Sequence, residues 1–172
     1  MKKKVILSIV ALVAVMMLLP QSVKNPVEGA GSNSYNHQTF WHPWGDHHHH
    51  GIDIFARCGT PVRSACYGIV LRTRINNGRG GNTVLVLGTR GRMYYYAHLD
   101  EVKTHPGAFV TQNTVIGTVG NTGNAKNTPA HLHFSISTPI PRLDHIVPLS
   151  EQTKWDDKIK PFFINPVKEL GK

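Results

Sequence analysis

His131-Leu132-His133-Phe134-Ser135-Ile136-Ser137, residues 131–137, alternates polar and apolar residues without a break. In an extended chain successive side chains point to opposite faces, so Leu132, Phe134 and Ile136 share one face while His131, His133, Ser135 and Ser137 share the other. The stretch therefore reads as a strand with one face on a core, and both histidines are turned away from that core. Along such a strand the two rings stand about 6–7 Å apart. One can hold a metal while its neighbour reaches a water or a substrate beside it.

Upstream, further short segments have β character: 51–56, 61–75, 82–88, 92–99 and 108–119, separated by Gly, Asn and Pro clusters such as Asn76-Asn77-Gly78-Arg79-Gly80-Gly81. No stretch after residue 20 keeps helical periodicity over three turns, and no repeat of fixed period is present. An all-β domain follows, with antiparallel sheets forming a groove of sandwich or barrel-sandwich type and little helix outside the N-terminal segment. In Arg92-Met93-Tyr94-Tyr95-Tyr96-Ala97-His98-Leu99, strict alternation puts Tyr94, Tyr96 and His98 on one face. Tyr94 and Tyr96 are thus candidates to line a substrate groove beside His98, with core packing as the alternative.

The second histidine motif is His49-His50-Gly51-Ile52-Asp53. In a straight strand His49 and Asp53 would be about 13 Å apart, too far to share one zinc with bonds of about 2 Å. Ile52 and Ile54 are β-branched and Gly51 weakens a helix, so a bend at Gly51 is expected to fold His49 back over Asp53. Gly51 should then lie at a turn or in a conformation that residues with a Cβ resist. The remaining histidines of the run, His47, His48 and His50, are read as a solvated loop.

The chain has 172 residues, enough for one domain with its own core, so a metal would serve chemistry rather than folding. Lys2, Lys3 and Lys4 precede an apolar run from Val5 to Leu19, broken only by Ser8. Its fifteen residues would span about 22 Å as a helix, short of the roughly 30 Å bilayer core. Residues 1–22 are read as an export signal, either removed or kept as a membrane anchor, and residues 23–38 as a flexible linker. The domain is expected over 39–170, with an insertion at about 138–163. The signal lysines account for three of the nine net positive charges, leaving +6 on an exported body. That charge suits an anionic envelope surface; no basic helix or aromatic RNA-binding motif points to nucleic acid. Cys58 and Cys66 are close enough for a disulfide in an oxidising compartment, with two buried thiols as the other reading.

No HExxH helix is present, so the glutamate base of that arrangement is missing. Neutral imidazoles with pKa near 6.5 can take its place. His98 and His131 are assigned to the attacking water and to the developing oxyanion.

The ordered set HHGIDIFA (49–56), GTPVRSACYGIV (59–70), GGNTVLV (80–86), YAHL (96–99), IGTVGNTGNA (116–125) and HLHF (131–134) closely resembles the lysostaphin-type zinc metalloendopeptidases that cut peptidoglycan peptides. The resemblance covers about residues 40–137 and resumes at Ile164-Asn165-Pro166, which looks like the closing strand of that family. It implies that His49, Asp53 and His133 bind one zinc ion per chain, with His98 and His131 flanking the water as catalytic histidines. It also implies an exported enzyme of the cell envelope acting on bacterial peptidoglycan. The alternatives are a non-catalytic envelope protein of the same fold that binds the wall or activates another hydrolase, and a metal-binding protein using the 47–50 run.

Overall fold

The computed structural model describes residues 22–45, 47–143 and 155–170, together with Val15. The signal reading for 1–22 lies outside these residues, apart from Val15 and Ser22. No helix among the described residues is long and apolar enough to cross a membrane.

A two-stranded hairpin of β1 (Pro43–Trp44) and β2 (His47–His48) precedes the main sheet. That sheet contains nine strands among the described residues: β3 (Ile52–Phe55), β4 (Pro61–Arg63), β5 (Gly68–Asn77), β6 (Gly81–Gly88), β7 (Met93–Val102), β8 (Phe109–Val110), β9 (Val115–Val119), β10 (His131–Ser137) and β11 (Phe163–Ile164). Every pairing between these strands is antiparallel. The helix α1 (Trp155–Ile159) has five residues. The all-β expectation therefore holds.

The central ladder runs β11-β10-β7-β6-β5-β8. β10 pairs with β7 on one edge; on the other it pairs with β3 through His131–Phe134 and then with β11 at Ile136 and Ser137. Ile164 pairs with Ile136, as expected for a closing strand. The core is built from the apolar half of each alternating strand: Ile52 and Ile54, Val84 and Val86, and Leu132, Phe134 and Ile136 are all fully buried. Fully burying such a side chain contributes about 1.5–3 kcal/mol, so the alternation fixes which face of each strand turns inward.

Two of the expected segments are divided. The stretch 61–75 breaks between Arg63 and Gly68, where Ala65 N–H donates to the Tyr96 hydroxyl at 2.8 Å. The stretch 108–119 breaks at Thr111–Thr114, where Thr114 N–H donates to the Thr111 carbonyl at 2.9 Å.

The linker reading of 23–38 is overturned. Val23 and Val27 are core residues, Val27 bridges to Val62, and Tyr35 bridges to Ile54. Lys24 N–H donates to the Ala65 carbonyl and Glu28 N–H to the Pro61 carbonyl, so this segment runs along 61–65 as an added edge. Two valines isolated among polar residues show no periodicity; their burial comes from a distant partner. The disulfide reading fails as well: both cysteines are free, Cys58 exposed and Cys66 buried. Burial pushes the Cys66 thiol up to about 12. Of the insertion at 138–163, residues 144–154 lie outside the described residues, and the described remainder returns to the sheet through α1 and β11.

Candidate metal centre

Asp53 faces His133 directly across the β3–β10 pairing, and its neighbours Ile52 and Ile54 point into the core. His49 lies just before β3, and the chain bends at Gly51, as expected. The reason differs from the expected backbone strain. A Cβ on Gly51 would sit 2.4 Å from the Phe134 carbonyl oxygen, 2.9 Å from Ser135 Cβ and 3.0 Å from His133 Nε2. Only glycine lets the bend press against β10 and bring His49 over His133. Gly51→Ala should destabilise the fold by roughly 1–3 kcal/mol through this overlap, read from denaturant unfolding, and should weaken metal binding in the same protein.

Three ligand atoms converge there. His49 Nε2 lies 3.1 Å from Asp53 Oδ1 and 2.9 Å from His133 Nδ1, and His133 Nδ1 lies 3.0 Å from Asp53 Oδ1. Among the described residues this is the one group of three His, Cys, Asp or Glu side chains close enough to hold an ion. His49 Nδ1 is 3.1 Å from the Thr39 carbonyl and can only donate to it, which leaves Nε2 as a lone pair aimed at an ionised carboxylate. Facing acceptors need a cation between them. In a tetrahedral site with bonds of 2.0–2.1 Å the donor atoms stand about 3.3 Å apart, so two imidazoles and one carboxylate in this arrangement fit zinc. Where no cation is bound, protons on the facing imidazoles take its place: burial would raise the Asp53 carboxyl, but the hydrogen bonds and charge of His133 and His49 outweigh it and hold the group well below the usual carboxylate range.

His98 and His131 complete the cluster, with ring centres 5.1 Å apart. His98 Nδ1 donates to the Thr122 carbonyl at 2.9 Å and His131 Nδ1 to the Pro129 carbonyl at 2.8 Å. Both rings are thereby set with Nε2 as the available lone pair. His131 Nε2 comes to 4.0 Å from Asp53 Oδ1, beside the metal set but outside it. Burial, reinforced by His133, pushes His98 down to about 4, so its ring is a neutral base at neutral pH.

Residues 47–145 match the profile of Peptidase family M23. The chain belongs to that family. An L-Ala--D-Glu endopeptidase of Bacillus subtilis is 37% identical over 97 residues, which cover 51% of this chain and 29% of that protein. The catalytic domain of lysostaphin from Staphylococcus simulans matches with TM-score 0.50 and 32% identity, covering 56% of this chain and 73% of that domain. A zinc-containing peptidase from Vibrio cholerae matches with TM-score 0.55 and 26% identity, over 67% of this chain and 36% of that one. The chain thus spans less than a third of the first curated relative it matches.

In this M23 domain the tyrosine expectation is reversed. Tyr94 and Tyr96 are fully buried in the core, and Tyr95 lines the cleft. Simple parity fails at His98, which has a φ of +62°. At that residue β7 leaves its pairing with β10, last made by Ala97 with His133, and takes up β9 through Leu99 and Val119. The kink sends His98 into the cleft although the residues two and four before it point inward.

The solvated-loop reading of the histidine run is also corrected. Asp156, in α1, is buried and accepts from the His48 backbone N–H; its Oδ2 lies 3.0 Å from His48 Nδ1 and its Oδ1 3.2 Å from His50 Nε2. Trp41 stacks with the rings of His48 and His50 at 5.6 and 4.9 Å, and its backbone N–H donates to the His49 carbonyl. Both neighbours of His49 are therefore clamped by residues that sequence reading did not single out. Nothing in an isolated Asp-Asp pair marked this role. Asp156→Ala should lower metal affinity about tenfold, at the low end for residues that orient ligands, measured by chelator competition, with partial recovery in Asp156→Asn.

Proposed function

We propose that this chain is a zinc endopeptidase of the cell envelope that hydrolyses peptide bonds in the stem or cross-link peptides of peptidoglycan. The observation that supports it best is the convergence of His49 Nε2, Asp53 Oδ1 and His133 Nδ1 within 3.1 Å of one another, beside two further imidazoles with free Nε2 atoms. Zinc held by these three residues would supply Lewis-acid polarisation of a carbonyl and bring the pKa of a water down to about 7.

The rest of the chemistry belongs to the chain. One of His98 and His131 accepts a proton from the attacking water as its oxygen adds to the scissile carbonyl carbon. The other, Nδ1 being spent on a backbone carbonyl, donates to the oxygen that gains charge when it carries a second proton on Nε2. When the C–N bond breaks, the stored proton passes to the departing amine. The cleft around these groups has a volume of about 630 Å³ and is lined by Tyr95, Ala97, Trp44 and Thr128 among others, which suits an extended peptide.

Purified peptidoglycan incubated with the zinc-loaded full chain should gain new amino termini, and His133→Ala should produce none. An intact, zinc-loaded chain that releases no amino termini overturns the proposal.

A further inference from the structure

The sheet face that carries the metal set continues past the edge of the cleft as an arm bearing arginines that the proposed chemistry does not use. Directly opposed residues in an antiparallel sheet share a face. Across the central strands Ser135 faces Tyr95, Tyr95 faces Leu85, and Leu85 faces Arg72. One row over, Asp53 faces His133, His133 faces Ala97, and Thr83 faces Arg74. Arg72 and Arg74 thus lie on the face that carries the metal ligands, and both act electrostatically on the Tyr95 hydroxyl. Arg79 reaches the same region from the turn Gly78–Gly80 and lines the cleft beside Tyr95.

This arm is held in place. A Cβ on Gly123 would sit 2.3 Å from the Arg79 carbonyl oxygen and 2.4 Å from Gly81 N, so the arginine turn packs directly on the turn at Gly123–Ala125. Asn124 and Ala125 of that second turn also line the cleft. Among the described cleft residues Asp53 is the one acid, and its charge is engaged by the ligand imidazoles. No carboxylate among the described residues pairs with Arg72, Arg74 or Arg79. From β10 to β5 is three strand spacings, about 14 Å, a distance that an extended peptide covers in about four residues.

We propose that the arm of this sheet face running from Tyr95 and Arg79 at the cleft to Arg72 and Arg74 beyond it is a subsite for carboxylates of the substrate, placed about four residues from the bond that is cut. Resting on the peptidase reading above, it selects acidic stem peptides over neutral glycine bridges. Guanidinium groups without a carboxylate partner match carboxylates in charge and in fork geometry, and the single bond from Arg74 to the Asn77 side-chain oxygen leaves its charge unpaired. Their exposure makes the contact dependent on salt.

The test uses the zinc-loaded full chain with a stem peptide bearing free carboxylates, the same peptide with those carboxylates amidated, and pentaglycine. Binding is followed by titration calorimetry and hydrolysis by release of amines. The free-acid peptide should bind about tenfold more tightly than the amidated one, as expected for a few exposed ion pairs, and salt should erase the difference. The triple variant Arg72→Gln, Arg74→Gln, Arg79→Gln should raise KM for the free-acid peptide by a similar factor, leave kcat unchanged and bind both peptides alike. Equal affinity for free-acid and amidated peptides in the unaltered chain overturns the subsite. So does a triple variant that folds, by its circular dichroism and melting, and still discriminates between them. Hydrolysis of no peptide would count against the peptidase reading alone, because the binding titrations decide the subsite separately.

Discussion

Asp53→Ala should abolish tight zinc binding and lower peptidoglycan hydrolysis about a thousandfold or more, since the hydrolytic water depends on the metal. Asp53 is the one anion in the ligand set. Its Oδ1 lies 3.1 Å from His49 Nε2 and 3.0 Å from His133 Nδ1. Without it, two neutral imidazoles 2.9 Å apart remain to hold a dication. Zinc content after dialysis and competition with a chromogenic chelator measure the loss; affinity within a few-fold of the unaltered chain would remove Asp53 from the site. In the metal-free chain the same carboxylate contributes to stability. Its pKa is held below the unfolded value, so the contribution is present above the ordinary carboxylate range near pH 4. It fades as the pH falls from there towards the lower folded value.

The other large effect falls on the proton-handling pair. His131→Ala and His98→Asn should each lower kcat by about a hundredfold to ten-thousandfold, while zinc affinity stays within a few-fold. His131 Nε2 is 4.0 Å from Asp53 Oδ1, and neither ring belongs to the three converging ligands. Asparagine is the better replacement at 98 because the residue has a φ of +62°, a conformation that Asn tolerates and alanine resists. Loss of zinc in either variant to the extent seen with Asp53→Ala would merge the two classes of histidine. Unchanged kcat in either would remove that ring from the chemistry.

The all-β fold and the turning of His131 and His133 away from the core were legible in the sequence because both rest on local alternation. Leu132, Phe134 and Ile136 are buried as their spacing requires, and that places His131 and His133 in the cleft. The same rule misplaced Tyr94 and Tyr96, because it assumes that a strand keeps one twist and one partner. At His98 the strand changes partner, and the positive φ reverses the side of the residue that follows Ala97. The segment 23–38 failed for a related reason. Its two valines sit against segments distant in sequence, Val27 beside Val62 of β4 and Val23 beside Leu170, and two residues are too few to set a period.

What the sequence by itself determined is the set of groups and the face each strand presents, since hydrophobic burial acts residue by residue along a strand. Tertiary structure decided how those groups meet. Gly51 is required by the approach of β10, Asp156 reaches the histidine run across 108 residues of chain, and Arg72 joins the ligand face only through three successive strand pairings. Each depends on contacts between segments distant in sequence, where excluded volume and strand register, rather than local preference, set the geometry.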